Sequence, residues 1–216
     1  MKEHRLKTTR TARFFTLGTI TERTKNIWFV IHGYGQLAEY FIRNFTPIHD
    51  EENVIVAPEA LSRFYLSGYT GRVGASWMTK EDRDSEIEDY IQYMNQVYQT
   101  LKPHASININ ILGFSQGVST AYRWALSSQL FNPNKLILWA GIFPPDIKTD
   151  FGSQIDKLKA VDTYVVYGTK DPMLQQEHLE KFEAFKKVKK DLEVITFEGE
   201  HEINKAALLK IVERES

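Results

Sequence analysis

The chain has 216 residues, a length that predicts one large domain able to bury a core without disulfides or metals. With 42% hydrophobic and 25% charged residues, the composition excludes disordered, collagen-like and solenoid proteins. The absence of cysteine excludes disulfides, thiolate metal sites and a cysteine nucleophile. A net charge of −1 gives bulk electrostatics no tendency to drive binding to nucleic acid or membrane.

The sequence shows no targeting or membrane segment. Its start, from Met1 to Lys7, is mostly charged and lacks the apolar stretch of a signal peptide. The longest apolar runs, such as residues 27–31, are far too short to span a bilayer. We therefore expect a cytoplasmic protein without stable membrane insertion.

Short apolar runs and amphipathic patterns follow one another along the chain. Runs rich in Val, Ile, Phe and Tyr that end near Gly or Pro predict strands, and apolar residues spaced three and four apart predict helices. Ser85 and Glu88 match a capping box at one helix start. In chain order the predicted elements are strand 13–17, strand 26–31, helix 37–45, strand 53–57, helix 85–101, strand 107–112, helix 117–130, strand 135–139, strand 163–167, helix 174–188, strand 192–197 and helix 203–213.

This order predicts an α/β fold whose mostly parallel, doubly wound sheet has about seven strands and helices on both faces. The first two strands have no helix between them, so we expect them to pair as an antiparallel edge. The alternation from Ile107 to Ile111 is typical of a half-exposed strand. We expect one domain over residues 1–216, without a separate lid domain.

A G-x-S-x-G sequence from Gly113 to Gly117 surrounds Ser115. A predicted strand runs into it and a predicted helix follows, which is the turn that exposes a nucleophilic serine above a sheet. Flanking glycines are expected because a side chain there would collide with the neighbouring strand and helix. In a doubly wound sheet this turn lies at the carboxyl edge of the strands, where ligands bind.

A serine hydroxyl becomes an efficient nucleophile when a base takes its proton and a carboxylate orients that base. Asp171 and His201 follow Ser115 in the chain order typical of this turn, and each comes shortly after a predicted strand. We expect the three side chains to meet at one edge of the sheet. Asp162 and Asp146 are weaker candidates for the acid, because Asp162 begins a strand and Asp146 lies upstream of the expected strand.

Acyl transfer also needs two donors for the negative charge that develops on the carbonyl oxygen. One is normally the backbone N–H after the nucleophile, here that of Gln116. The other comes from the loop after an earlier strand, and the Gly-rich turn 32–35 follows the second predicted strand. We assign it to Tyr34, with Gly33 as the next candidate. His32 is expected to brace this loop through a backbone hydrogen bond.

The chain carries a series of short motifs: His32-Gly-Tyr-Gly35, Ala57-Pro58, Ser76-Trp77, Gly113-Phe-Ser-Gln-Gly117, Gly168-Thr-Lys-Asp-Pro172 and Gly199-Glu-His201. With them it resembles the α/β-hydrolase superfamily, and within it the phospholipase/carboxylesterase family that includes acyl-protein thioesterase-like enzymes. The resemblance covers nearly the whole chain and implies no cofactor. The implied roles are nucleophile for Ser115, base for His201, orienting acid for Asp171 and oxyanion donors for Tyr34 and Gln116.

The chain departs from that pattern near the site. Tyr34 stands where acyl-protein thioesterases usually have Leu, and Val118 stands where Gly is common, so the substrate is left open. Two long segments, 58–80 and 141–160, carry aromatic residues, and loops of this length often form binding sites. Trp77 and Phe143 in these segments, and Met173 after the Asp171 motif, are equally compatible with core positions. The residues predicted to line the substrate site are Gly33, Trp77, Phe143 and Met173.

These observations predict a serine hydrolase that cleaves small-molecule carboxylic esters, similar to a carboxylesterase or lysophospholipase, with a weak preference for short to medium acyl chains. The alternatives are an acyl thioesterase, a non-catalytic ligand-binding protein of the same fold, and a scaffold or homodimer partner. No metal is predicted, because the other histidines show no ligand spacing. Those are His4, His49, His104 and His178.

Overall fold

Strands and helices alternate along the described chain, which is residues 1–141, 143 and 154–213 of the computed structural model. The strands are β1 (Phe14–Leu17), β2 (Asn26–Ile31), β3 (Asn53–Pro58), β4 (Ser62–Tyr65), β5 (Val73–Ser76), β6 (Asn108–Phe114), β7 (Lys135–Trp139), β8 (Asp162–Gly168) and β9 (Glu193–Phe197). The helices are α1 (Ala38–Phe41), a 3₁₀ helix (Ile42–Ile48), α2 (Arg83–Leu101), α3 (Gln116–Ser127), α4 (Gln154–Leu158), α5 (Gln176–Val188) and α6 (Lys205–Val212).

The main sheet has seven strands in the order β1-β3-β2-β6-β7-β8-β9. Adjacent strands of this sheet are parallel, except that β1 is antiparallel to β3, with Phe14 opposite Pro58. This confirms the predicted mostly parallel sheet with its antiparallel edge strand. The prediction that the first two strands pair with each other is wrong. Because β3 and β6 occupy both edges of β2, β1 cannot pair with β2 and instead adds to the outer edge of β3.

Both faces of the sheet are covered, so side chains that alternate along one strand enter two different cores. Along β2, Phe29 lies in one hydrophobic cluster, against α2 and α3, while Trp28 lies in the other, against the 3₁₀ helix and α6. Near-continuous apolar runs are what strands buried on both faces require.

The strand with the Ile-Asn-Ile-Asn-Ile alternation lies at the centre of the sheet. In β6, every residue after Asn108 is buried, so the half-exposed interpretation is wrong. At the half-buried start of the strand, asparagine side chains form hydrogen bonds with one another. Asn108 donates to Asn26 Oδ1 at 3.2 Å and accepts from Asn134 Nδ2 at 3.0 Å.

The unassigned segment 58–80 contains a hairpin in which β4 and β5 are antiparallel, with Phe64 opposite Gly74. Backbone hydrogen bonds attach it to the turn after β2: Gly35 donates to the Ala75 carbonyl at 2.9 Å, and Ala75 donates to the Gln36 carbonyl at 3.0 Å. The hairpin was not predicted from the sequence, because four-residue strands with glycines give little periodic pattern. Apart from it, the described residues add no separate lid to the sheet.

Helix starts also differ from their predictions. The helix 85–101 begins at Arg83, and Asp82 is its N-cap with a φ of 44°. The predicted capping box at Ser85 is wrong, because Ser85 lies inside the helix and its hydroxyl donates to Asp82 Oδ1 at 3.1 Å. The helix 37–45 is α-helical only over α1 and continues as the 3₁₀ helix, which contains Pro47. Among the described helices, none has the length and apolarity needed to cross a bilayer.

Candidate active site

Ser115 lies in a sharp turn between β6 and α3, at the carboxyl edge of the sheet. Its backbone has φ 54° and ψ −119°, a strained conformation for a residue other than glycine. The N–H of Ser115 donates to the Trp139 carbonyl at 2.9 Å, which anchors the turn to the adjacent strand β7. This is the sharp strand-to-helix turn that the sequence predicted, and the role of Ser115 as nucleophile stays a prediction.

The two glycines of the motif permit very close backbone contacts. A Cβ at Gly117 would lie 2.3 Å from the Ile31 carbonyl oxygen, and a Cβ at Gly113 would lie 2.3 Å from the Gly117 carbonyl oxygen. Real side chains do not approach backbone so closely, so both positions require glycine. The predicted collision with the neighbouring strand and helix is therefore the reason for the motif.

Asp171 and His201 meet beyond the ends of β8 and β9. Nδ1 of His201 lies 2.8 Å from Oδ2 of Asp171, and the Met173 N–H donates to Oδ1 of the same carboxylate at 2.8 Å. The Asp171 side chain is 1% exposed, whereas that of His201 is 25% exposed. The carboxylate is thus buried and held on both oxygens, while the imidazole keeps an accessible face.

The His201 loop also reaches the serine turn. The ring of Phe114, the residue before Ser115, lies 4.8 Å from the imidazole of His201, centroid to centroid. Trp139, at the end of the intervening strand β7, donates from its indole to the Glu202 carbonyl at 2.8 Å. The sheet order places β6, β7, β8 and β9 side by side, so the candidate serine, acid and histidine share one edge.

His32 braces the turn after β2, as the sequence predicted. Its Nδ1 lies 2.7 Å from the Gly33 carbonyl oxygen, and its Nε2 accepts from the Ala60 N–H at 3.1 Å. The amide donor at Nε2 requires that nitrogen to be unprotonated, so the proton is on Nδ1 and is donated to Gly33. Burial lowers the pKa of His32 to about 4, against a smaller opposing effect of the hydrogen bond to Gly33. The imidazole is therefore neutral at physiological pH.

These contacts orient the amide predicted as an oxyanion donor. In a trans peptide the Tyr34 N–H points away from the Gly33 carbonyl, so fixing one direction fixes the other. The Gly33 N–H donates to Gln36 Oε1 at 2.8 Å and is already occupied. Among the described residues, the N–H groups of Tyr34 and Gln116 have no hydrogen-bond acceptor. Of the two candidates in this turn, Tyr34 rather than Gly33 has the uncommitted amide.

The side chains of Gln36 and Gln116 connect separate parts of the site, and neither side chain was predicted to have a role. Gln36 holds the Gly33 amide. The side chain of Gln116 accepts from the Trp77 N–H at 3.1 Å and donates to the Met78 carbonyl at 2.9 Å. The only sequence clue was the presence of polar residues next to the Gly-rich motifs.

The predicted substrate-lining residues lie in different environments. Trp77 is buried, and its indole donates to the His32 carbonyl at 2.8 Å. Phe143 is buried against Tyr122, with the ring centroids 5.7 Å apart. Met173 is 64% exposed beside the Asp171 carboxylate. Gly33 lies next to the nucleophile, since a Cβ there would be 3.0 Å from Cβ of Ser115. Contact of these residues with substrate stays a prediction.

The alternative acids and a metal site find no support in the described residues. Asp162 begins β8, at the end of the strand opposite to Asp171, and Asp146 lies outside the described residues. Within residues 1–141, 143 and 154–213, no three His, Asp or Glu side chains cluster as metal ligands would.

Residues 23–210 match the protein family described as serine hydrolase (FSH1). The chain belongs to this serine hydrolase family. The match spans β2 to most of α6 and so includes the serine turn and the Asp171–His201 pair. A search of curated protein sequences found no significant match.

Solved structures similar to this FSH1-family protein share its fold at low sequence identity. Acyl-protein thioesterase 2 from Zea mays is 14% identical with a TM-score of 0.72, over 93% of this chain and 96% of that one. Esterase PE8 is 16% identical with a TM-score of 0.68, over 94% and 96%. A phospholipase/carboxylesterase from Dyadobacter fermentans is 18% identical with a TM-score of 0.62, over 94% and 96%. These likenesses confirm the α/β-hydrolase fold that the sequence motifs implied.

Proposed function

We propose that this serine hydrolase cleaves carboxylic esters of small molecules, with Ser115 as nucleophile, His201 as base and Asp171 as the acid that orients the base. The observation that carries the proposal is the 2.8 Å contact between His201 Nδ1 and the buried Asp171 carboxylate, beside a strained serine turn. A buried carboxylate on Nδ1 keeps the proton there and leaves Nε2 able to accept the serine proton.

The reaction then proceeds in two halves. Oγ of Ser115 attacks the ester carbonyl carbon as Nε2 of His201 takes its proton, and the carbonyl oxygen becomes a tetrahedral oxyanion. The N–H groups of Tyr34 and Gln116 stabilise that oxyanion. Collapse of the intermediate breaks the bond to the alcohol oxygen, which receives the proton from His201. Water repeats these steps on the acyl-enzyme, releasing the carboxylic acid and restoring the serine.

The surroundings of Asp171 support its orienting role. Its side chain is 1% exposed and accepts hydrogen bonds on both oxygens, one of them from the backbone of Met173. A carboxylate held in this way keeps one orientation toward the imidazole. As imidazolium forms during attack, the nearby negative charge stabilises it.

The test is covalent labelling by a fluorophosphonate together with turnover of p-nitrophenyl esters of two to sixteen carbons. We expect the unmodified protein to be labelled at Ser115 and Ser115→Ala to lose both labelling and turnover while keeping its unfolding transition. Ser67→Ala, in the exposed hairpin connection, is the matched control and should behave as the unmodified protein. Undiminished labelling of Ser115→Ala, or no reaction of the unmodified protein with any activated ester, would contradict the proposal.

A thioesterase is the second candidate function. The fold likeness to the Zea mays acyl-protein thioesterase 2, with a TM-score of 0.72, favours it, since both substrate types form the same acyl-enzyme. Rates on an oxygen ester and a thioester of the same acyl group separate the two. A kcat/KM that is higher for the thioester would favour the second candidate.

A further inference from the structure

The side-chain amide of Gln116 connects the serine turn to the segment after β5. Its Oε1 accepts from the Trp77 N–H at 3.1 Å, while its Nε2 donates to the Met78 carbonyl at 2.9 Å and to Ser76 Oγ at 3.2 Å. We call residues 76–78 the Trp77 loop. An amide presents an acceptor and a donor at its two ends, so it bonds both the N–H and the carbonyl of this loop. A carboxylate or thioether of similar length cannot do so.

The other side of the Trp77 loop supports the turn that contains Tyr34. The Trp77 indole donates to the His32 carbonyl at 2.8 Å, and its ring lies 5.2 Å from the His32 imidazole. His32 in turn bonds the Gly33 carbonyl and thereby orients the Tyr34 N–H. A continuous series of contacts therefore runs from Gln116 through Trp77 and His32 to Tyr34.

The two ends of this series are the two proposed oxyanion donors. Gln116 contributes its own backbone N–H, and Tyr34 contributes the other. The pairing of β2 with β6 ends with Ile31 opposite Gly113. Beyond it, among the described residues, no backbone hydrogen bond joins the turn after β2 to the serine turn, so the relative position of the two donors depends on the contacts between these turns. The contact of Gly117 with the Ile31 carbonyl sets how closely the turns approach. The hydrogen bonds of the Gln116 side chain are directional, so they resist displacement of the serine turn relative to the Trp77 loop.

We infer that the Gln116 side chain is a positioning residue that aligns the two oxyanion donors by tying the serine turn to the Trp77 loop. This inference rests on the proposed function. The oxyanion of the tetrahedral intermediate is stabilised when both N–H groups donate to it. The neutral carbonyl oxygen of the bound ester forms weaker hydrogen bonds and depends less on their alignment. Loss of the tie therefore raises the barrier to reaction and leaves ground-state binding nearly unchanged.

The Trp77 loop has other attachments that keep it folded without Gln116. Ser76 Oγ donates to the Met78 carbonyl at 2.9 Å, and the Trp77 indole bond to His32 remains. Arg123 on α3 donates to Met78 Sδ at 3.4 Å. Substitution of Gln116 is thus expected to loosen the loop relative to the serine turn while the fold persists.

The experiment compares Gln116→Met, which keeps the side-chain length, with Gln116→Ala. For both we expect kcat on a p-nitrophenyl ester to fall about 10- to 100-fold, with KM changed less than about threefold. The affinity for a trifluoromethyl ketone, which forms a tetrahedral adduct with an oxyanion, should fall in parallel with kcat/KM. Gln92→Met, on an exposed position of α2, is the matched control and should keep the unmodified values.

Several results would contradict a positioning role for the Gln116 side chain. A Gln116→Met variant with unmodified kcat would mean that the side chain only fills space and would overturn the inference. A rise in KM with constant kcat would mean direct contact with substrate and would also overturn it. If both Gln116 variants fail to fold, Gln116→Glu, which keeps an acceptor for the Trp77 N–H but has no donor for the Met78 carbonyl, is expected to lower kcat about two- to fivefold, and an unchanged kcat would refute the inference. Failure of the unmodified protein to be labelled at Ser115 would instead defeat the proposed function.

Discussion

Asp171 and His201 lie thirty positions apart in the chain, yet Oδ2 of the first is 2.8 Å from Nδ1 of the second. Two backbone hydrogen bonds hold their turns together: Thr169 donates to the Phe197 carbonyl and Lys170 donates to the Gly199 carbonyl, each at 2.9 Å. The acid and the histidine are thus placed by the pairing of β8 with β9, which continues into their turns. Such backbone support keeps the contact fixed before any substrate binds.

Asp171→Asn is expected to lower kcat by about 10³- to 10⁴-fold, because an amide at this position favours the wrong imidazole tautomer while preserving the shape of the site. Steady-state hydrolysis of a p-nitrophenyl ester measures the effect. Asp162→Asn is the matched control, since Asp162 lies at the opposite end of β8. Equal losses in the two variants would contradict the orienting role of Asp171.

The stability of the protein is expected to depend on pH through His32. Its pKa is lowered from 6.5 to about 4 in the folded state by burial, so between these values the unfolded chain binds a proton that the folded protein does not. Stability from this group is therefore complete above pH 6.5 and decreases as the pH falls toward 4. The loss amounts to about 3 kcal/mol in the free energy of unfolding.

Urea unfolding at pH 7.5, 5.5 and 4, followed by tryptophan fluorescence, measures this dependence. His32→Asn is the control, because it cannot titrate and its amide can still donate to the Gly33 carbonyl. The other titratable groups are common to both proteins, so the difference between them isolates His32. A difference in unfolding free energy that stays constant with pH would show that His32 does not titrate as expected.

Removal of the hydroxyl group from two buried tyrosines is expected to change the stability of the protein in opposite directions. Among the described residues, the Tyr122 hydroxyl has no hydrogen-bond partner, although the residue is fully buried. Tyr93 instead donates to the Arg13 carbonyl at 2.6 Å and accepts from the Glu59 N–H at 3.2 Å. We expect Tyr122→Phe to raise the unfolding free energy by about 1 kcal/mol and Tyr93→Phe to lower it by about 1–2 kcal/mol. Chemical denaturation measures both, and equal destabilisation by the two changes would be inconsistent with these contacts.

Gly117→Ala is expected to lower the unfolding free energy by about 3 kcal/mol, because its Cβ would lie 2.3 Å from the Ile31 carbonyl oxygen. Gly68→Ala is the comparison. That glycine has a φ of +60° but no atom within 4 Å of an added Cβ, so only a backbone cost of about 1 kcal/mol applies. Thermal and urea unfolding give the two values. A cost for Gly117→Ala no larger than that for Gly68→Ala would mean that the turns can separate freely.

Much of the sheet could be predicted from local patterns. Strands such as Asn26–Ile31 and Lys135–Trp139 have the predicted bounds because they are continuous apolar runs, which is what burial on both faces requires. That Ser115, Asp171 and His201 lie at one edge of the sheet could be predicted for the same kind of reason. Each residue follows a strand, and parallel strands end at a common edge.

Other features could not be predicted, because they depend on partners distant in the chain or on a backbone conformation that no motif specifies. The pairing of β1 with β3 rather than β2 depends on which strand edges the rest of the sheet leaves open. The N-cap at Asp82 depends on a local backbone conformation with positive φ that no motif specifies. The β4–β5 hairpin depends largely on its hydrogen bonds to the turn after β2.

The sequence by itself determined the alternation of strands and helices and the serine turn, because apolar periodicity and glycine act within a few residues of the chain. It also placed Asp171 and His201 after neighbouring strands. Only the tertiary structure decided which amides keep a free N–H. The Gln36 side chain accepts a hydrogen bond from the N–H of Gly33, whereas the N–H of Tyr34 has no acceptor among the described residues. The Gln116 side chain forms hydrogen bonds with a loop that lies nearly forty residues earlier in the chain. Hydrogen bonds require a donor and an acceptor within about 3 Å, and folding alone brings such distant groups that close.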